Sequence, residues 1–88
     1  MYYAYILYSL KYKRNYYGST KNLQKRLEFH NAGKVFSTKP YLPWQLIWYG
    51  GFIDEKRAKD FERYLKTGSG KAFAYKRLID SVALKKDD

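Results

Sequence analysis

Two tyrosine-rich segments near the N-terminus constrain the fold most strongly. The first, Tyr2–Ser9, is dominated by tyrosine and isoleucine, and no Gly or Pro interrupts it, as is typical of a β-strand. Residues 15–17 form a second, shorter strand that ends at Gly18. These segments predict an antiparallel hairpin in which Tyr5 and Leu7 share one face of the first strand.

Helix caps and breakers define the rest of the chain. Ser19 or Thr20 is expected to cap a first helix over residues 21–32, which stops at Gly33. The elements expected after it are a basic loop over residues 34–43, a strand over 44–52, a helix over 55–67 capped by Asp54, a separator at Ser69 and Gly70, and a helix over 71–84.

The element order is therefore β-β-α-β-α-α, an α/β (α+β) arrangement. We predict a three-stranded, mainly antiparallel sheet flanked by about three helices. The chain has 88 residues, which suits one domain, here residues 1–84, followed by a frayed tail over residues 85–88. No apolar run approaches the length of a membrane span, so no membrane partner is expected. Without an export signal, the cytoplasm is the expected location.

Composition restricts the chemistry of any metal site. The chain has no cysteine and one histidine, which excludes thiolate zinc sites and histidine-rich cages. A metal would have to use carboxylates, carbonyl oxygens and water, the ligand set of Mg²⁺ or Mn²⁺.

The net charge favours a polyanionic partner. The formal charge is +10, from 18 Lys and Arg against 8 Asp and Glu. Such a surplus favours nucleic acid, because binding releases counterions from the phosphates. A basic domain without a nucleic-acid partner is the alternative.

Two polar side chains border the apolar stripe of the first predicted helix. Leu23 and Leu27 define the stripe, and Arg26 and His30 lie four residues apart beside it, directed towards the sheet edge. Arg26 offers a fork of donors for a phosphate, and His30 offers a proton shuttle. Alternatively, both are ordinary boundary residues that cover the core.

Glu62 interrupts the apolar face of the second predicted helix. Ala58, Phe61 and Leu65 surround it, whereas the basic residues of that helix lie further round. A carboxylate there needs a compensating cation from elsewhere in the fold. Arg26 and a divalent metal ion are equally suitable as the cation that compensates Glu62.

Tyr5 and Tyr16 lie on adjacent strands of the predicted hairpin. If both face the helix that carries Arg26 and His30, two hydroxyls, a guanidinium and an imidazole converge. Phosphodiester chemistry needs such a set. Two core tyrosines with satisfied hydroxyls are the alternative.

The same positions resemble a known family. Tyr3-Ala4-Tyr5 followed by Tyr16-Tyr17-Gly18 resembles the paired signature of the GIY-YIG nucleases. Further similarity extends over about residues 2–80 and includes Gly18-Ser19-Thr20-Lys21-Asn22-Leu23, Arg26-Leu27, His30-Asn31, Thr38-Lys39, Pro43-Trp44, Ala58, Glu62, Leu65 and Lys66. The chain is most similar to small stand-alone bacterial members, which resemble the N-terminal domain of excinuclease C.

The resemblance implies a role for each matched residue. Tyr5 and Tyr16 would orient or deprotonate the attacking water, and Arg26 would stabilise the phosphate. His30 would aid proton transfer, and Glu62 would be the single metal-ligating carboxylate.

Together these features predict an endonuclease that hydrolyses DNA phosphodiester bonds with one Mg²⁺ or Mn²⁺. Nearby positive charge is expected to lower the pKa of the tyrosine base, so that activity rises above neutral pH. Five loop cations are expected to hold the DNA backbone: Lys11, Lys13, Arg14, Lys34 and Lys39. Branched or single-stranded DNA is the expected preference, and a targeting protein is an expected partner. The alternatives are a non-catalytic module that binds DNA or RNA, and a small protein-interaction domain.

Overall fold

A computed structural model describes residues 1–79 of the chain. The described elements, in chain order, are β1 (Tyr2–Ser9), β2 (Arg14–Thr20), α1 (Leu23–Asn31), a short 3-10 helix (Lys39–Tyr41), β3 (Gln45–Phe52), α2 (Glu55–Leu65) and α3 (Gly68–Arg77). This is the predicted β-β-α-β-α-α order, and the three-stranded antiparallel sheet is confirmed. The predicted tail and the predicted boundary at residue 84 lie outside the described residues.

The first strand lies at the centre of the sheet. The strand order is β2-β1-β3, and β1 pairs antiparallel with both neighbours. Tyr5 lies opposite Gly18 on one side and opposite Tyr49 on the other. The predicted hairpin is thus confirmed, and its second strand runs to Thr20, beyond the predicted end at Gly18. This extension determines where the next helix can begin.

Helices cover both faces of the sheet. Ile6 packs in one core with Leu65 of α2 and Ala74 of α3. Tyr5 and Leu7 pack in the other core, together with Trp44 and the leucines of α1. Because side chains alternate along a strand, β1 supplies buried residues to both layers. The predicted division of the β1 side chains between two faces is confirmed.

The start of α1 differs from the prediction. Ser19 and Thr20 belong to β2, so neither of them caps the helix. Asn22 is the N-cap, and its side-chain oxygen accepts a hydrogen bond of 3.1 Å from the Lys25 N–H. After α1, Gly33 has φ +73°, the left-handed conformation that ends a helix and that glycine adopts at little cost.

The junction between the last two helices also differs from the prediction. Asp54 caps α2 as expected, accepting from the Arg57 N–H at 2.8 Å. However, α2 ends at Leu65, and Thr67 caps α3 by accepting from the Gly70 N–H at 3.0 Å. Ser69 and Gly70 therefore lie inside α3 and do not separate two helices. Within residues 1–79, no helix is long and apolar enough to span a bilayer.

Candidate active site

Tyr5 reaches the edge of the sheet by crossing its neighbour on β2. A Cβ atom placed on Gly18 would lie 2.5 Å from both Cζ and the hydroxyl oxygen of Tyr5. The ring therefore lies directly over the Gly18 backbone, in space that any side chain would fill. Glycine at this position allows a phenol from the central strand to extend beyond the edge strand.

A cleft opens at this edge of the sheet. Its volume is about 400 Å³, and it lies where α1 and α2, on opposite faces of the sheet, flank β2. Four of the five predicted catalytic residues line it, with five others: Tyr5, Tyr16, Gly18, Ser19, Arg26, Lys59, Glu62, Arg63 and Lys66. The fold thus brings two phenols, a guanidinium and a carboxylate from distant parts of the chain to one opening.

His30, the fifth predicted catalytic residue, lies behind the cleft wall. It is fully buried, deeper than the predicted position at the border of the apolar stripe. Its Nε2 lies 2.9 Å from the Tyr5 hydroxyl, and its Nδ1 lies 2.8 Å from Oγ1 of Thr38, which is also fully buried. No role in this chain of contacts was predicted for Thr38 from the sequence.

The direction of these hydrogen bonds follows from the last member of the chain. The Thr38 hydroxyl donates to the Val35 carbonyl at 3.3 Å, so its oxygen accepts from His30 Nδ1–H. Nε2 of the neutral ring is then unprotonated and accepts the Tyr5 O–H. This tautomer leaves lone pairs of the Tyr5 oxygen available to the cleft.

Burial controls the protonation of both groups. Burial, together with the charge of Arg26, lowers the pKa of His30 to about 4, so the ring is neutral at pH 7. Burial raises the pKa of Tyr5 to about 12, despite the opposing effect of the Arg26 guanidinium beside it. The expectation that nearby positive charge lowers the tyrosine pKa is therefore wrong for Tyr5, because desolvation outweighs the charge.

Tyr16 forms the adjacent part of the cleft wall. Its ring packs edge-on against His30 with a centroid distance of 5.0 Å and lies 6.4 Å from the ring of Tyr5. On its core side it packs against Trp44, with 6.3 Å between the two ring centroids. The half-buried Tyr16 thus holds the imidazole in place and borders the same opening as Tyr5.

Glu62 has two partners in the cleft. Its Oε1 accepts a hydrogen bond of 2.6 Å from the Ser19 hydroxyl, and its Oε2 accepts from Lys66 Nζ at 2.7 Å. Lys66 belongs to the next turn after Glu62, so the cation comes from the same part of the chain. The expectation of a cation from elsewhere in the fold is wrong for this pair, since a flexible lysine four residues on reaches back to the carboxylate.

Glu62 also determines how a metal ion could be held. Within residues 1–79, no cluster of three or more acidic or histidine side chains could hold an ion. Because Oε1 accepts from Ser19 and Oε2 pairs with Lys66, an ion at Glu62 would have to displace the Lys66 ammonium. It would then have one carboxylate, with the Ser19 hydroxyl beside it and water for the remaining positions. Mg²⁺ commonly keeps several waters, and the open cleft has space for them. The donor set therefore fits a hydrated divalent cation.

Three cleft cations and Ser19 were not predicted as site residues from the sequence. Lys59, Arg63 and Lys66 lie three, one and four residues from Glu62, so the i±3 and i+4 spacings could have placed Lys59 and Lys66 beside it. Ser19 gave no such signal, because it was assigned to a helix cap instead of a strand edge. These side chains make the α2 side of the cleft positively charged.

The predicted DNA-binding cations lie elsewhere. None of the five lines the cleft. Arg14 stacks on the Tyr41 ring at 4.3 Å, which joins the hairpin turn to the 3-10 helix. Lys11 lies over the Tyr12 ring and Lys34 over Phe29, while Lys13 is in the turn and Lys39 begins the 3-10 helix. Lys11, Lys13 and Arg14 thus lie at the hairpin turn, and the Arg14–Tyr41 contact brings the 3-10 helix that begins at Lys39 to the same end of the sheet.

Comparison with known proteins defines the family. The model of the GIY-YIG catalytic domain matches residues 1–76, which include all the residues that line the cleft. No curated protein and no solved structure matches the chain significantly. The similarity to excinuclease C stays a prediction. Because the match covers most of the sequence, the chain belongs to the GIY-YIG family of nucleases.

Proposed function

We propose that the protein is a divalent-metal-dependent endonuclease that hydrolyses DNA phosphodiester bonds in the cleft at the β2 edge. The observation that carries this proposal is the convergence of Tyr5, Tyr16, Arg26 and Glu62 around one solvent-open volume. A phosphodiester displacement needs a proton acceptor for water, a cation at the phosphate and stabilisation of the leaving oxygen. The cleft residues can supply the first two, and Glu62 is suited to hold the ion for the third.

Water activation would use the hydrogen-bonded chain behind Tyr5. As water attacks the phosphorus in line, the bond from phosphorus to the leaving oxygen breaks. The proton of the water passes to the Tyr5 oxygen, and the Tyr5 proton passes to His30 Nε2. This transfer requires neutral His30, which the lowered pKa of about 4 provides at physiological pH. The same low pKa disfavours the imidazolium, so the proton returns through Tyr5 to solvent in the cleft after the displacement. Tyr5 acts as a relay and need not ionise beforehand. Tyr16 orients the water from the adjacent wall.

Phosphate binding would use the guanidinium and the cations of α2. Arg26 lies on the α1 side of the cleft, where its planar fork suits two phosphate oxygens. Lys59 and Arg63 add positive charge on the α2 side. Glu62 would hold one Mg²⁺ or Mn²⁺, which when bound supplies Lewis-acid stabilisation of the phosphate and leaving oxygens.

The remaining assignments are proposals at the scale of the whole protein. Lys11, Lys13, Arg14, Lys34 and Lys39 would hold the DNA backbone outside the cleft, and branched or single-stranded DNA would be preferred. A separate targeting protein would supply sequence selection, and the cytoplasm would be the site of action. A non-catalytic module that binds DNA or RNA is the second candidate, which the positive charge alone supports equally well.

The deciding experiment compares cutting with binding across substrates. The protein is incubated with branched, single-stranded and duplex DNA, and with RNA, in Mg²⁺, in Mn²⁺ and with chelator. Glu62→Gln removes the cleft carboxylate, and Glu28→Gln is the matched control because Glu28 is an exposed acid on α1. We expect metal-dependent DNA cutting by wild type and Glu28→Gln, lost in Glu62→Gln. Binding by all three proteins without cutting would support the non-catalytic module.

A further inference from the structure

Phe36 is the most exposed large apolar side chain of the described residues, with 92% of its surface accessible. It lies in the loop between α1 and the 3-10 helix. Because the ring is exposed, it contributes almost nothing to the core. The stability of the fold therefore does not explain why an aromatic residue occupies position 36. An exposed aromatic ring on a loop is the kind of group that proteins use to contact a partner.

The turn that carries Phe36 is held firmly. The backbone N–H groups of Thr38 and Lys39 both donate to the Val35 carbonyl, at 3.1 and 2.9 Å. The Trp44 indole N–H donates to the Thr38 carbonyl at 2.9 Å. A fixed turn presents the ring at little conformational cost on binding, because its backbone is already ordered.

The charge around Phe36 indicates the kind of partner. Lys34 and Lys39 flank it in sequence, and Lys39 begins the 3-10 helix whose Tyr41 ring stacks against Arg14. Glu28 is the single acidic residue before Asp54. An exposed aromatic ring on a loop that also carries lysines and no acidic residue fits a ligand with negative charge and flat apolar faces, which is the chemistry of a nucleotide.

The same turn is connected to the candidate active site. Thr38, two residues after Phe36, contacts His30 at 2.8 Å, and His30 contacts Tyr5 of the cleft at 2.9 Å. The loop and the cleft wall are therefore parts of one packed unit. DNA that occupies the cleft and extends over this unit would bring its bases to the ring.

We propose that Phe36 stacks on an unpaired nucleobase of DNA bound at the cleft, so that the protein selects sites next to unpaired bases. This inference rests on the proposed function. Bases within a duplex are stacked on each other, whereas an unpaired base can present a face to an aromatic side chain. Phe36 makes the recognition depend on base exposure and not on base identity.

The test measures binding in chelator, where cutting does not interfere. The fluorescent base 2-aminopurine is placed either in a short unpaired gap or within a fully paired duplex of the same length. Phe36→Ala removes the ring, and Phe36→Trp restores an aromatic face. Ile53→Ala is the matched control, since Ile53 is 74% exposed and lies just beyond β3 at the opposite end of the sheet.

Wild type and Phe36→Trp are expected to quench the unpaired 2-aminopurine, and Phe36→Ala is not. The affinity of Phe36→Ala for gapped DNA should fall about tenfold, a typical effect of losing one stacked base. Its affinity for paired duplex should be unchanged, and Ile53→Ala should match wild type on both DNAs. Equal quenching by wild type and Phe36→Ala, or an equal loss of affinity on paired and gapped DNA, would overturn the inference.

Two other outcomes also decide the matter. If wild type binds no DNA, the proposed function fails together with this inference, whereas normal binding by Phe36→Ala defeats this inference alone. Self-association of the wild type that Phe36→Ala abolishes would assign the ring to a contact between two copies of the chain and overturn the DNA assignment. Sedimentation of both proteins without DNA measures this.

Discussion

At the scale of single residues, the position of one phenol depends on one missing side chain. Tyr5 is almost fully buried along its ring, yet its hydroxyl lines the cleft because Gly18 leaves the space over β2 empty. The Tyr5 hydroxyl then contacts His30, which contacts Thr38. The reactive group is thus positioned by Gly18, His30 and Thr38, none of which supplies a reacting side chain to the cleft.

Gly18→Ala is expected to displace Tyr5. The added Cβ would lie 2.5 Å from the ring, and the buried ring cannot move without repacking its neighbours. We expect a loss of unfolding free energy of about 1–3 kcal/mol, the usual range for overpacking, and a larger loss of DNA cutting. Urea unfolding and cleavage assays measure the two effects. In a Tyr5→Ala background the same substitution should cost much less, and an equal cost would contradict the account.

The buried histidine predicts a specific dependence of stability on pH. The folded pKa of His30 is about 4, below its ordinary value of 6.5, so acid favours the unfolded chain. The stabilisation by neutral His30 is complete above about pH 6.5 and is lost as the pH falls towards about 4. Between pH 7 and pH 5 the loss is about 2 kcal/mol. Urea unfolding at both pH values should show this loss in wild type and a smaller one in His30→Gln; parallel losses would refute it.

Some site residues have a recognisable pattern in the sequence, and others do not. Arg26, His30 and Glu62 were predicted because each is a polar group beside or within an apolar stripe. Tyr5 and Tyr16 were predicted from adjacent strands, and the family resemblance added their roles. Spacing places Lys59 and Lys66 beside Glu62, but Arg63 looks like part of a solvated helix face until β2 is known to lie beside it. Thr38 was missed because a contact between residues 30 and 38 depends on the path of an irregular loop.

At the scale of elements, boundaries were harder to predict than identities. Tyr2–Ser9 was predicted with its observed limits, since an uninterrupted apolar strand has clear ends. Thr20 and Asn22 both suit an N-cap, and only the pairing of Thr20 with Tyr3 assigns Thr20 to the sheet. Ser69 and Gly70 have the composition of a loop, but Thr67 caps a helix that includes both.

Gly70→Ala tests why a glycine lies inside α3. A Cβ at residue 70 would lie 1.8 Å from the Tyr64 carbonyl oxygen, so α3 can pack against the end of α2 only without a side chain there. We expect a loss of more than about 2 kcal/mol in unfolding free energy. Gly68→Ala, in the same helix with open space around it, is the control and should be neutral or stabilising. Similar stability of the two variants in urea would contradict this packing.

At the scale of the whole molecule, positive charge lies in two regions. One is the α2 side of the cleft, and the other is the hairpin-turn end of the sheet, which carries Arg14 and Lys39. Sequence analysis predicted a basic protein but could not separate these regions, because net charge carries no information about position. A DNA backbone that contacts both would cross the β2 edge.

Binding of DNA should therefore depend steeply on salt. If four or five phosphates are neutralised, the affinity for duplex DNA should fall about 150- to 500-fold between 50 and 200 mM salt. Fluorescence anisotropy with labelled DNA measures the slope. Arg14→Gln should reduce the slope of log affinity against log salt concentration by about one, which corresponds to one fewer released ion. An affinity that stays constant over this range would show that phosphate contacts do not hold the DNA.

The central claim is that the cleft cuts DNA with Glu62 as its acidic residue. The most direct measurement determines the dissociation constant and the single-turnover cutting rate of Glu62→Gln on one DNA substrate in Mg²⁺, with Glu28→Gln as the control. Removing a negative charge beside the phosphate should leave binding equal or tighter, while the cutting rate falls at least about a hundredfold. A Glu62→Gln protein that cuts DNA at the wild-type rate would contradict the claim.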